Sequence, residues 1–117
     1  MKSLEDIEAI SETRQVKVRM YRGTTPTNVF TSDLDLTEAE VIYITYKQGG
    51  ETKIEKTADD ITVTSEELRV TLTQDETLSL KEGAVDIQIR ARFSDGTAVA
   101  SNTVKTTAER ILKDGVI

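Results

Sequence analysis

The side chains in this sequence that are best suited to chemistry are carboxylates that occur in close pairs. Glycosidases use two carboxylates that face each other across a cleft, and calcium sites gather several of them around an ion. Adjacent strand residues point to opposite faces, so a doublet cannot form a facing pair by itself, and the spacing of Asp33 and Asp35 matches no EF-hand loop. We interpret the pairs as solvated turn residues: Asp33 with Asp35, Asp59 with Asp60, Glu66 with Glu67, and Asp75 with Glu76.

Two residue types that dominate enzyme and metal chemistry are absent, since the chain contains no His and no Cys. Without His there is no imidazole to act as general base or metal ligand. Without Cys there is no disulfide, thiolate metal site or thiol nucleophile. No glycine-rich phosphate loop follows a strand pattern. We therefore predict that the protein is not an enzyme, with no catalytic residues, no metal site and no cofactor.

The charge balance excludes further classes of partner. The chain has 15 Lys and Arg against 21 Asp and Glu, a net charge of −6. A chain this acidic repels phosphate backbones, so we expect no nucleic-acid binding. It has no apolar run of membrane-spanning length, and its acidic first residues lack the apolar core of a signal peptide. We accordingly expect no contact with a membrane.

One long alternating stretch organises the rest of the sequence. Side chains alternate between the two faces of a strand, so an alternation of apolar and polar residues predicts a half-buried strand with a solvated outer face. The expected buried residues are Val85, Ile87, Ile89, Ala91 and Phe93.

A hairpin is predicted immediately after this strand. Asp95 and Gly96 favour a two-residue type I′ turn, in which Gly96 takes a left-handed conformation. In that register Asn102 would point into the core and Val99 into solvent. We therefore expect a β-bulge near Ser101 to restore the alternation.

Shorter alternating stretches between turn signals predict the other strands, and the capping box from Thr73 to Glu76 predicts one short helical turn that ends near Leu80. About seven to eight strands with no βαβ rhythm predict an all-β fold, an immunoglobulin-like antiparallel β-sandwich. The stretches are Gln15–Tyr21, Thr27–Ser32, Glu40–Lys47, Thr52–Thr57, Ile61–Thr64 and Leu68–Leu72.

Three regions divide the chain. Residues 15–108 form the predicted sandwich, and residues 109–117 form a C-terminal tail. We expect the apolar side chains of the tail to be covered, either by the same chain or, in the interpretation we favour, by a neighbouring copy. Residues 1–14 form an N-terminal arm or a short helix. Leu4, Ile7 and Ile10 recur there at helical spacing, although a frayed terminus fits these residues equally well.

Three apolar stretches give the candidate interaction surface. The stretch around Tyr43 is unusual because both faces of the predicted strand are largely apolar. Its second face is covered either by the same chain, which gives a monomer, or by a neighbour, which gives a homo-oligomer. The candidate residues are Leu4, Ile7, Ile10, Val41, Tyr43, Thr45, Ile111, Leu112, Val116 and Ile117.

Four short sequence segments occur in the same order as in small phage proteins: Tyr21–Pro26, Leu34–Thr37, Leu72–Thr77 and Ser94–Gly96. In this respect the chain resembles the immunoglobulin-like N-terminal domain of the baseplate upper protein of phages that infect Gram-positive bacteria, and related short prophage structural proteins. Glu38 departs from the pattern, since such domains often carry a glycine at that position.

The resemblance implies a non-enzymatic phage or prophage structural protein, a tail or baseplate subunit or adaptor that acts through protein–protein contacts. Its partners would be other phage structural proteins. Its location would be the virion, and the host cytoplasm before assembly. The alternative is a free-standing adhesion or carbohydrate-binding sandwich, but a chain with no Trp and three Tyr offers few aromatic platforms for a sugar.

Overall fold

The structure, a computed structural model, describes residues 8–10 and 19–117. In this part of the chain ten strands, one short α-helix and a 3₁₀ turn at Ala58–Asp60 follow one another. The elements are β1 (Glu8–Ile10), β2 (Arg19–Tyr21), β3 (Thr27–Thr31), β4 (Ala39–Gln48), β5 (Glu51–Thr57), β6 (Ile61–Val63), β7 (Glu67–Thr71), α1 (Gln74–Leu78), β8 (Gly83–Phe93), β9 (Ala98–Ala100) and β10 (Val104–Glu109).

The strands form two facing sheets. One sheet has the order β1-β3-β7-β6, and the other has the order β2-β10-β8-β4-β5, with β9 also paired to β8. This strand order is that of an immunoglobulin-like sandwich, so the predicted fold class is confirmed. One pairing departs from the antiparallel expectation, because β2 runs parallel to β10.

The long alternating stretch is the predicted strand. In β8, Val85, Ile87 and Ile89 are fully buried and Ala91 nearly so, while Gln88 and Arg90 are exposed. Its neighbours in the sheet are β4 and β10. Each buried Val or Ile contributes about 1.5–3 kcal/mol through loss of contact with water, so this strand anchors the core.

The hairpin after β8 has a left-handed Gly96, as predicted, with φ of 89°. The two-residue type I′ turn is wrong, however. The Phe93 N–H donates to the Thr97 carbonyl at 2.8 Å and the Gly96 N–H donates to the Phe93 carbonyl at 2.9 Å, which encloses a three-residue loop. A two-residue turn with glycines at positive φ occurs instead between β4 and β5, where Gly49 and Gly50 have φ of 58° and 79°.

The extra loop residue changes the register of the return strand. Val99 now pairs with Ala91 and is half-buried, and Asn102 is exposed. The predicted β-bulge near Ser101 is confirmed, because Arg90 pairs with Ala100 whereas Ile87 pairs with Val104, which leaves one extra residue in the return strand. The buried Ser101 hydroxyl accepts the Ile89 N–H at 2.9 Å and so replaces a backbone partner.

Two expectations about the termini require correction. Glu8–Ile10 form β1, which pairs with β3, so a helix that includes Ile10 is wrong. A helix of about two turns is unstable by itself in water, whereas the strand is stabilised by its pairing with β3. Leu4 and Ile7, and residues 15–18 of the predicted first strand, lie outside the described residues.

The C-terminal tail also differs from the expectation that its apolar side chains are buried. Ile111 is half-buried, but Leu112 is 98% exposed, Ile117 is 87% exposed and Val116 is 58% exposed. Docking on the same chain is therefore wrong for these three side chains, and contact with a neighbour stays a prediction. The tail is held instead through polar contacts of its backbone and of Asp114.

Candidate interaction surfaces

The side of β4 that carries Val41, Tyr43 and Thr45 belongs to the outer face of the six-stranded sheet. Tyr43 is 41% exposed there, and Val41 and Thr45 are half-buried. In the described part of the chain no segment covers Tyr43, although β4 lies between β8 and β5 within the sheet. The Val41, Tyr43 and Thr45 side chains therefore form one row on an open face.

Strand register places arginines beside this row. Val41 pairs with Arg92 and Tyr43 pairs with Arg90, while β9 brings Ala98 to the other side of Arg92. We call these five residues the arginine patch. They line a surface depression of about 190 Å³.

The ionic partners of the arginine patch are few. Arg92 approaches Glu40 at 3.7 Å, with both side chains more than half exposed, so this pair contributes little. Among the described residues Arg90 has no ion-pair partner. Its neighbours on the sheet are Tyr43 and the small Ala100, which leave the guanidinium accessible.

A surface of opposite charge lies at one end of the sandwich. The β3–β4 and β6–β7 loops bring together Asp33, Asp35, Glu66 and Glu67, which line a depression of about 660 Å³ beside Leu34. We call these five residues the acidic end. Asp33, Asp35 and Glu66 are exposed, whereas Leu34 and Glu67 are half-buried.

Local contacts fix parts of the acidic end. The Asp35 carboxylate accepts the backbone N–H and the hydroxyl of Thr37 at 2.9 and 2.6 Å. These hydrogen bonds favour the charged form and hold the pKa of Asp35 below its usual range. Glu67 pairs with Arg69 at 3.4 Å. The described residues contain no group of three or more acids suited to hold a metal ion.

The C-terminal tail forms a third surface, and its backbone is fixed. The Gln74 side chain accepts the Ile117 N–H at 2.9 Å and donates to the Ile117 carbonyl at 3.2 Å. Asp114 lies 3.5 Å from Arg22, whose guanidinium also donates to the Leu80 carbonyl at 2.6 Å. The tail therefore lies against the α1 region, while the Leu112, Val116 and Ile117 side chains face outward.

One polar cluster lies inside the sandwich. The Tyr46 hydroxyl donates to the Asn28 side-chain oxygen at 2.7 Å, across the two sheets. Lys56 lies 2.7 Å from Glu76, whose carboxylate also accepts the Thr73 N–H in the predicted capping box. Burial, and to a lesser extent the negative charge of Glu76, raises the pKa of Tyr46 above its ordinary value.

This internal cluster is satisfied by its own members. Among the described residues no buried side-chain nitrogen or oxygen lacks a hydrogen-bond partner. The hydrogen bonds of this cluster are therefore made within the sandwich, where they stabilise the core.

The structure separates the candidate interaction residues into groups. Val41, Tyr43 and Thr45 share one face of β4. The tail residues follow β10, whose end pairs with the beginning of β8, whereas Val41 pairs near the end of β8. These two groups therefore lie toward opposite ends of the sandwich. Ile10 belongs to β1, with its backbone paired to Val29.

The residues that the sequence interpretation missed are the arginines of β8 and Ala98. The alternation of β8 identifies Arg90 and Arg92 as outward-facing. Their association with Tyr43, however, depends on the β4–β8 register, which no local pattern specifies.

Comparison with known proteins adds little to this description. No protein-family model matches the sequence, and no curated protein sequence matches it. Among solved structures the chain is similar to the fibronectin(III)-like modules of Clostridium thermocellum CbhA, with 14% sequence identity, coverage of 90% of this chain and 99% of that chain, and a TM-score of 0.46. The fold assignment therefore rests on strand order. Among the described residues no helix is long and apolar enough to cross a membrane.

Proposed function

We propose that this protein is a non-enzymatic structural subunit or adaptor of a phage or prophage tail or baseplate, which acts through protein–protein contacts. The assignment to a phage particle follows the resemblance of its turn and strand phrases to baseplate upper proteins. The observation that carries the proposal is that the C-terminal tail exposes apolar side chains although its backbone is hydrogen-bonded to the domain.

The tail is suited to contact another protein. Leu112, Val116 and Ile117 are each more than half exposed, and burial of each contributes about 1.5–3 kcal/mol. Because Gln74 and Arg22 already hold the backbone, a partner that covers these side chains loses less free energy to ordering the segment. Contacts of this kind suit a subunit whose role is assembly.

Three acids of the described residues are engaged in structural contacts. At the acidic end Asp35 is engaged by Thr37 and Glu67 by Arg69, and the depression is open to solvent. Inside the sandwich Glu76 is engaged by Lys56 and Thr73. These carboxylates are occupied by structural contacts, which is the arrangement expected of a scaffold.

The first test is the genetic context together with binding to the encoded neighbours. We expect tail or baseplate genes beside the coding sequence, and we expect one of their products to co-purify with the protein when they are expressed together. Flanking genes for surface adhesion or polysaccharide use, together with binding on a glycan array that is lost in Tyr43→Ala, would instead support the adhesion or carbohydrate-binding alternative.

The second test addresses the tail directly. A variant with Leu112→Ser, Val116→Ser and Ile117→Ser should lose co-purification with the neighbour, because its apolar contact area is removed. Lys113→Ser is the matched control, since it changes an exposed polar residue of the same segment and should bind as the native protein does. Equal binding by the triple variant and the native protein would overturn the role of the tail.

A further inference from the structure

We propose that the arginine patch of one copy binds the acidic end of a second copy. This inference rests on the proposed function and names one partner of the assembling subunit, namely the same chain. It uses two surfaces that the tail does not include. The arginine patch lies on the outer face of the six-stranded sheet, and the acidic end lies on the loops after β3 and β6.

Charge complementarity is the first argument. The chain has a net charge of −6, so two copies that approach at random repel each other. The arginine patch is an exception, because Arg90 and Arg92 lie side by side on one face and Glu40 is the one acid paired with them among the described residues. The acidic end offers Asp33 and Glu66, both exposed, as counter-charges.

Apolar complementarity is the second argument. In the arginine patch Val41, Tyr43 and Ala98 surround the depression, and tyrosine and arginine are enriched among residues that dominate binding energy. In the arginine patch the two arginines lie between apolar side chains, and in the acidic end the half-buried Leu34 lies among carboxylates. Each surface therefore combines apolar and charged groups, as protein interfaces do.

Symmetry decides how the copies are arranged. A two-fold contact through the arginine patch would place Arg90 and Arg92 against the same residues of the other copy, and like charges would be buried together. A contact between two different surfaces avoids this repulsion. A pair that makes the contact in both directions closes as a two-fold dimer. A pair that makes this contact once leaves one patch and one acidic end free, so addition of copies continues into a ring or an open chain. A repeating assembly of this kind suits a tail or baseplate.

The experiment measures the mass of the purified full chain by sedimentation velocity over a concentration series. We expect the average mass to rise with concentration, and to rise less at high salt because screening weakens the charge pairs. Arg90→Glu with Arg92→Glu should give a monomer, as should Asp33→Lys with Glu66→Lys. The control Lys81→Glu with Lys113→Glu makes the same charge change as the arginine variant, but at exposed positions elsewhere. It should still associate, more weakly than the native chain and clearly more than the arginine variant.

Mixing provides the decisive result. The arginine variant keeps its acidic end and the acid variant keeps its arginine patch. The two reversed surfaces also carry opposite charges, so an equimolar mixture should form complexes although neither variant associates alone. If Arg90→Glu with Arg92→Glu fails to fold by circular dichroism, Arg90→Gln with Arg92→Gln takes its place, and its mixture with the acid variant should stop at dimers.

The outcomes separate this inference from the proposed function. A native chain that remains monomeric at high micromolar concentration, an oligomer that survives the arginine variant, or a mixture that stays monomeric would each overturn the contact. Co-purification with the products of neighbouring tail genes, which depends on the C-terminal tail, would then still stand. Loss of that co-purification with the contact intact would overturn the proposed function alone.

Discussion

Two tyrosines of β4, only three positions apart, occupy opposite faces of the same sheet. Tyr46 is fully buried and its hydroxyl is bonded to Asn28 of the facing sheet. Tyr43 is 41% exposed and lies beside Arg90 in the arginine patch. The same residue type therefore meets a closed hydrogen-bonded core on one side and an open charged surface on the other.

The difference shows how a single strand serves two purposes. Strand residues that are an odd number of positions apart point to opposite faces of the sheet. The side chains that face the core can therefore be selected for packing without constraint on those that face solvent. The inner face satisfies its polar groups within the chain. The outer face leaves aromatic and guanidinium groups in reach of another molecule. We expect stability to depend on the inner face and association to depend on the outer face.

The sharpest test of this comparison is truncation of each tyrosine. Tyr46→Ala should lower the free energy of unfolding by about 3–5 kcal/mol, because it leaves a large cavity in the core. Tyr43→Ala should change it by less than about 0.5 kcal/mol, as is usual for surface substitutions. Urea unfolding measures both. Similar losses for the two variants would contradict the assignment of an inner and an outer face.

A second test removes the charge that faces Lys56 inside the sandwich. Glu76→Gln keeps an oxygen for the Thr73 N–H but leaves Lys56, whose side chain is 9% exposed, without its counter-charge. Because Glu76 is 27% exposed and water reaches the site, we expect a loss of about 2 kcal/mol, below that of a fully buried pair.

The matched control for Glu76→Gln is Asp86→Asn, which breaks an exposed pair with Lys105 at the same distance of 2.7 Å. That variant should lose less than about 0.5 kcal/mol. Equal losses in the two variants would show that the Lys56 pair is no more important to stability than a surface contact.

A third test concerns the hairpin that positions Ala98 at the edge of the arginine patch. Gly96 has φ of 89°, and a Cβ added there would meet no atom within 4 Å, so strain in Gly96→Val arises from the backbone alone. We expect a loss of about 1 kcal/mol or slightly more, together with weaker self-association. Gly96→Asn is the control, since asparagine tolerates positive φ and should lose less. A Gly96→Val protein with the same melting temperature as the native protein would contradict the turn assignment.

Local patterns were sufficient for much of the fold. The alternation of β8 predicts which of its side chains are buried, and the capping box predicts α1, because both depend on neighbours close in sequence. The hairpin register was wrong by one residue, since Asp95 and Gly96 fit both a two-residue turn and the three-residue loop that the hydrogen bonds show.

Contacts between distant segments account for what the sequence could not provide. The strand at Ile10 depends on pairing with Val29, and the position of the tail depends on Gln74, 43 residues away from Ile117. The arginine patch is likewise a product of the β4–β8 register. Tyr43 was predicted as a candidate interaction residue from the apolar pattern of its own strand, whereas Arg90 becomes relevant only when the two strands are aligned.

The smallest expected effect is a pH dependence that belongs to the inner tyrosine. Tyrosine has an ordinary pKa of 10.0, and burial followed by the charge of Glu76 raises the pKa of Tyr46 in the folded protein. Below pH 10 the hydroxyl is protonated in both the folded and the unfolded chain. Above pH 10 the unfolded chain loses this proton while the folded chain keeps it, so unfolding becomes more favourable as the pH rises.

The slope of this loss can be isolated by substitution. One group that titrates only in the unfolded chain lowers the free energy of unfolding by up to about 1.4 kcal/mol per pH unit, and by about half of that near pH 10. Tyr46→Phe should be less stable than the native protein at neutral pH, because Asn28 loses its partner, but its stability should fall less steeply between pH 10 and 11. Phe30→Leu is the control, since it weakens the core without removing an ionisable group and should keep the native slope. Urea unfolding at several pH values measures all three slopes, and equal slopes for the native protein and Tyr46→Phe would show that Tyr46 ionises as readily inside the sandwich as in the unfolded chain.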